Sequence, residues 1–181
     1  MTFASKLRGM ALSALSAFVW TASLPSCVVT DKIEFELEMP FPPSVVSQPN
    51  ADNPLNRIAR VNLDDPLPPG SDEFDMQVIV RDPNFDQTLQ YRIFIDAPPP
   101  PAPQPVFEQG EIEPSGFLER PRDFAVPYEN LAPGACHKIE LIVVGQFAGI
   151  REPELPGDFD NATWWVEVTD ELNPVIEELC Q

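Results

Sequence analysis

The chain has 181 residues, 43% of them hydrophobic, and a formal net charge of −18. That length suits one domain with a proper core, and so negative a surface repels phosphate backbones, which argues against nucleic-acid binding. Its 23 prolines exclude a helical bundle, because proline lacks the N–H and breaks helix interiors. Wholesale disorder is equally at odds with the hydrophobic content and with the alternating patterns described below.

Lys6 and Arg8 form a short positive start, Met10 to Leu24 is an uncharged apolar run, and small residues close it, the layout of a secretory leader. The run is shorter than the ~20 residues of a spanning helix. Its ending, Leu24-Pro25-Ser26-Cys27, resembles the lipobox of bacterial lipoproteins, with Leu at −3, Ser at −1 and Cys at +1. The resemblance implies that Cys27 receives a diacylglycerol, that the leader is cut before it, and that Cys27 becomes the acylated, membrane-attached N-terminus. Val28, rather than Asp, after that cysteine favours the outer membrane by the sorting pattern of such proteins. The alternative is an ordinary secretory leader in which Cys27 is incidental.

Residues 1–26 hold two basic and no acidic side chains, so the remaining 155 residues carry 9 basic against 29 acidic groups, a net −20. Attachment to a bilayer therefore has to come from the lipid. With Cys27 acylated, Cys136 and Cys180 remain as a disulfide pair, closing a loop of about 44 residues worth on the order of 4 kcal/mol. Two buried free thiols are the alternative, less expected outside the cytoplasm.

In chain order, Ile33, Phe35, Leu37 and Met39 alternate with glutamates as a strand, ended by Pro40, Pro42 and Pro43. Val45-Val46 and Ile58 to Leu63 read as short edge strands among turn formers. Phe74 to Arg81 and Leu89 to Asp96 both alternate with period two. The link Asp82-Pro83-Asn84-Phe85-Asp86 between them predicts two adjacent antiparallel strands. The pattern V-x-V-x-D-P-N-x-D-x-x-L-x-Y-x-I resembles the middle strands of bacterial immunoglobulin-like and cadherin-like domains.

Ala97 to Pro105 is low complexity and predicts a stiff polyproline II connection. Val106 to Ile112 and Phe124 to Tyr128 follow as short strands, with Pro114–Pro121 between them. Leu131 to Val144 has the spacing L-x-P-G-x-x-H-x-I-x-L, which resembles the turn into the sixth strand of fibronectin type III and immunoglobulin domains. Those usually place a corner tyrosine where His137 stands, so a ring nitrogen is expected to reach the same backbone. Alternation puts His137, Ile139, Leu141 and Val143 inside and Cys136, Lys138, Glu140, Ile142 and Val144 outside. Ala162 to Thr169 is the last strand, with Trp164 in the core and Trp165 outside. Asn173-Pro174 then predicts one or two helical turns.

Together these readings give an all-β chain: an immunoglobulin-like or fibronectin-III-like antiparallel β-sandwich with a short C-terminal helical turn. Its organisation is a leader (1–26), a lipid-anchored segment with one strand (27–43), the sandwich (44–170) and a tail packed on it (171–181). Phe94, Ile142 and Trp165 are expected to form an outward apolar patch, a docking or glycan-stacking platform unless the tail covers it. Tail residues Val175, Ile176 and Leu179 are the expected cover, drawn across by Cys180.

Chemistry is sparsely signalled. One histidine, no G-x-S-x-G, no H-E-x-x-H and no Cys/His pair speak against an enzyme. Asp82, Asn84 and Asp86 have the D-x-N-x-D spacing of hard-cation loops, so calcium is one reading, with Asp64, Asp65 or Asp72 as further donors. The other reading is an Asx/Pro turn, since Gln87 and Ile93 stand where an EF-hand needs Gly and Glu. The expected function is a non-catalytic envelope lipoprotein that binds or scaffolds an envelope protein; the alternative is a lipoprotein that captures glycans with outward aromatics.

Overall fold

The computed structural model describes residues 41–65, 72–99, 101–173 and 180. All of them lie in the unit Met39–Gln181. The expected strand over 33–39, Cys27 and the expected helical turns over 174–179 fall outside the described residues, as do Val175, Ile176 and Leu179.

Eight strands form: β1 (Ser44–Ser47), β2 (Ile58–Asn62), β3 (Glu73–Arg81), β4 (Leu89–Ile95), β5 (Glu108–Ile112), β6 (Glu119–Pro127), β7 (Ala135–Val144) and β8 (Phe159–Thr169). They make two sheets, β1-β3-β6 and β2-β8-β7-β4-β5. The helical element among the described residues is a 3-10 turn, Tyr128–Asn130. β3 shows why the sheets pack: Phe74, Met76, Val78 and Val80 are buried while the residues between them stay polar or half-buried. Facing them, Ile139, Leu141, Val143, Trp164, Val166 and Val168 complete one core from the second sheet. Trp164 is 1% exposed and its Nε1 donates to the Asn53 carbonyl at 2.9 Å, so its polar end is satisfied too.

One expectation fails. β3 and β4 are not neighbours: β3 pairs with β1 and β6, whereas β4 pairs with β5 and β7. Both strands bury their apolar face in the same core, and two strands side by side in one sheet could equally do so. The alternation does not distinguish a hairpin from an arch between sheets, and residues 82–88 form the arch. β6 also starts earlier than expected and runs through Pro121, which an edge strand accepts because its missing N–H breaks no second ladder.

β2 runs parallel to β8, with Ile58 opposite Trp165 and Asn62 opposite Thr169. The exposed N–H of β1 at Val45 is capped by the Asp160 carboxylate of β8 at 2.7 Å, tying the two sheets together. The registers place the starts of β1 and β4, the ends of β3, β5 and β7, and the starts of β6 and β8 at one end, here called the tip. The opposite end, the base, holds the end of β2, the link from β4 to β5, Gly134 and the end of β8. Gly134 has φ +78, a left-handed turn conformation that glycine adopts without strain, and leads the chain into β7. The proline-rich link at the base is not a straight polyproline run: the Ala102 N–H donates to the Pro99 carbonyl at 3.3 Å.

Candidate functional site

The outer face of the five-stranded sheet carries the residues expected to form a platform. β4, β7 and β8 do lie side by side, and Phe94, Ile142 and Val144 form a cluster on that face. The cluster is not open, however. Phe94 is 0% and Ile142 6% exposed, because Ala97, Val106 and Phe147 pack over them. The guanidinium of Arg151 stacks 4.1 Å from the Phe94 ring centre, and that of Arg92 stacks 4.0 Å from the centre of Phe147. Arg92 Nη1 also donates to the Gly149 and Ile150 carbonyls, which folds the β7–β8 link down onto the sheet.

Trp165 does not belong to this cluster. It stands opposite Lys138 and Ile58, at the far side of Glu140. Glu140 accepts from Lys138 Nζ at 2.8 Å and from Arg151 Nη2 at 2.9 Å. Burial alone would raise the Glu140 carboxyl, but these two cations together outweigh it and hold the group below the usual carboxylate range. An ionic strip therefore divides the expected patch, leaving Trp165 as a half-exposed aromatic beside Ile58. Cys136 faces the same outer side and is disulfide-bonded to Cys180, with the Cα atoms 5.4 Å apart.

A depression of about 250 Å³ remains open on this face, lined by Gln90, Tyr91, Arg92, Gln109, Gly110, Glu111 and Phe147. Gly110 is needed there, since a Cβ would sit 2.8 Å from the Tyr91 ring. Tyr91 donates to Glu108 at 2.7 Å; burial first and that carboxylate second push its phenol up to about 12.

At the tip, the D-x-N-x-D stretch is organised around a cation of the chain itself. Asp82 is fully buried; its Oδ1 accepts the Asn84 N–H at 2.8 Å, an Asx turn, and its Oδ2 accepts Arg120 Nη2 at 3.0 Å. Arg120 also donates to the Gln87 carbonyl at 2.8 Å and the Asn84 carbonyl at 3.2 Å. Asn84 turns its amide to the Phe41 carbonyl at 3.0 Å, and Asp86 faces solvent. The three side chains do not converge. Asp64, Asp65 and Asp72 lie at the base, separated from the stretch by the nine residues of β3, about 30 Å of strand, and so are no further donors to it. Among the described residues no group of three or more His, Cys, Asp or Glu could hold a metal ion.

Arg120 escaped the reading of the sequence, although it shares its parity with buried Phe124 and Val126 on β6. Nearby Asp158 is 5% exposed with Oδ1 unpaired; burial, with Asp82 close by, raises its carboxyl, and burial likewise raises that of Asp82.

At the base His137 is 5% exposed. Its Nε2 lies 2.8 Å from the Ala132 carbonyl, five residues upstream, and its Nδ1 lies 2.6 Å from the Asp96 carboxylate. Asp96 has φ +47, a left-handed conformation that aspartate tolerates better than most residues, and its carboxylate also accepts the Lys138 N–H at 2.8 Å. The imidazole thus clamps the end of β4 to the turn before β7.

The sequence matches no protein-family model, and no curated protein matches it at a significant level.

Proposed function

We propose that the protein is a lipid-anchored lipoprotein of the cell envelope, in the outer membrane, whose immunoglobulin-like domain binds or scaffolds another envelope component without catalysing a reaction. The observation that carries this reading is the leader ending in Leu24-Pro25-Ser26-Cys27 ahead of an acidic, disulfide-bonded β-domain. The immunoglobulin-like assignment is supported by the strand order: β1-β3-β6 facing β4-β7-β8 matches the A-B-E and C-F-G order of such domains. It is supported too by His137, which reaches the backbone five residues upstream as a corner tyrosine does. In favour of a non-catalytic role, Asp82, Arg120, His137 and Glu140 all direct their polar atoms to the fold itself.

The test is intact mass and fractionation of the native protein. Acyl chains on Cys27 and recovery with membranes are expected, and Cys27→Ala should leave the leader uncut. An unmodified cysteine would sink the reading. The scaffolding role predicts co-purification of envelope proteins after crosslinking in cells.

A second reading, capture of glycans, is favoured by the depression beside β4 and β5, where Gln90, Gln109 and Glu111 meet the ring of Phe147. Amides and a carboxylate are groups that hold sugar hydroxyls. Titration with envelope oligosaccharides should then give saturable heat that Gln109→Ala abolishes; flat titrations would remove this alternative.

A further inference from the structure

The tip carries the most exposed aromatic side chains of the described residues. Phe41, Phe85 and Phe117 are 62%, 48% and 72% exposed, and Leu118 is 51% exposed. They come from three separate segments that meet at one place. Phe41 leads into β1 and its carbonyl accepts the Asn84 amide; Phe85 is the next residue after Asn84 in the arch; and the Leu118 carbonyl accepts the Asp82 N–H at 2.9 Å. Phe117 and Leu118 belong to the β5–β6 link. Three rings and a leucine on one end of a small domain form the kind of patch that marks an interaction surface.

We infer that this tip docks on the surface of a zwitterionic bilayer, the phenylalanines entering the headgroup region beside the lipid anchor. The inference rests on acylation of Cys27 as proposed above. Three observations favour lipid as the occupant. First, the tip is where the chain comes in from its N-terminal side: residues 27–40, fourteen residues, reach at most about 50 Å when extended, so an anchor at Cys27 keeps this end within that distance of the membrane. Second, two pairs of opposite charges at the tip are closed within the fold. Asp82 pairs with Arg120 at 3.0 Å, and Arg81 pairs with Glu119 at 2.9 Å. Third, the arch is fixed by the buried Arg120, so Phe85 is presented without being ordered on contact. The remaining carboxylates, exposed Asp86 and Glu113 and a net charge of −20 on the mature chain, oppose anionic lipid, which is why the headgroups are zwitterionic.

The test uses the full acylated chain in vesicles of phosphatidylcholine and phosphatidylethanolamine whose acyl chains are brominated. A Phe117→Trp reporter should lose roughly half of its added emission, as expected for a ring about 5–10 Å into the interface. A Leu172→Trp reporter at the base, where Leu172 is 89% exposed, should lose almost none. Phe41→Ser and Phe85→Ser together should bring the Phe117→Trp reporter to the level of the base reporter.

A chain that floats with the vesicles while both reporters behave alike overturns tip docking and leaves the anchor standing. Native chain that proves to carry no acyl group on Cys27 and does not float removes the anchor, and tip docking falls with it. If a photoreactive group at Phe117 captures a protein in cells instead of phospholipid, the occupant is a protein and the lipid assignment is overturned.

Discussion

The tip of the sandwich buries Asp82, Arg120 and Asp158 and leaves Phe41, Phe85, Phe117 and Phe159 exposed. At the base the polar groups are those of a clamp, His137 between Asp96 and Ala132, and the disulfide to Cys180 starts from the adjoining Cys136 on the outer face. The two ends thus invert one another. An end held by a buried charge pair is costly to desolvate but rigid, and it frees its apolar side chains to face outward. The other end is held by a covalent bond and by an imidazole whose two nitrogens face the Ala132 carbonyl and the Asp96 carboxylate. The difference puts the exposed aromatic rings at the tip and the covalent fastening at the base.

The largest effect is expected where the tip depends on one residue. Arg120→Ala leaves Asp82 buried without its cation and should cost about 3–5 kcal/mol of unfolding free energy. Replacing both partners, Arg120→Leu with Asp82→Leu, should recover most of that loss; if the double variant is no better than the single one, the pair is not what holds the arch. At the base, Cys136→Ser with Cys180→Ser should cost about 2–4 kcal/mol, seen as a lower denaturant midpoint that reducing agent reproduces in the parent chain. An unchanged midpoint would remove the covalent side of the comparison.

His137→Phe comes next, at about 2 kcal/mol, because it keeps the ring volume while leaving the Ala132 carbonyl and the Asp96 carboxylate without their partner. The smallest effect sets the middle of β7 against the tip by pH. Glu140 sits below the usual carboxylate range in the folded state, so its ionised form stabilises the fold above the unfolded value and that contribution fades as pH falls through the folded one. Glu140→Gln should therefore be less stable than the parent by about 1 kcal/mol at neutral pH and converge with it in acid. Asp82 and Asp158 act in the opposite sense: their raised values mean the folded state holds protons more tightly, so their contribution declines as pH rises through the interval above the ordinary carboxylate value. Denaturant midpoints across pH would check both signs.

Much of this fold was legible residue by residue. Alternation assigned the inward and outward faces of β3, β4, β7 and β8 and singled out Trp164 for the core, because a half-buried strand writes its facing into every second side chain. Partition between sheets was not legible, since an arch and a hairpin leave the same alternation; the Asp82–Arg120 contact that distinguishes them joins residues 38 positions apart. The parallel pairing of β2 with β8 likewise has no local signature. Phe94 and Ile142 were correctly placed outside, yet their cover came from Phe147 and Arg151, in a link whose glycines and prolines announce only a loop. His137 was readable to the level of the backbone it reaches; its carboxylate partner, Asp96, was not.

The pairing of β1 with β3 also decides how the domain bears load. Tension applied from the N-terminal side is delivered at Ser44 and runs along β1, so its pairs with β3 are sheared together instead of opening one at a time. Tension from the other terminus passes through sulfur into β7, the middle strand of its sheet, and bypasses the end of β8. A tether pulled from both sides would therefore stretch before it peels.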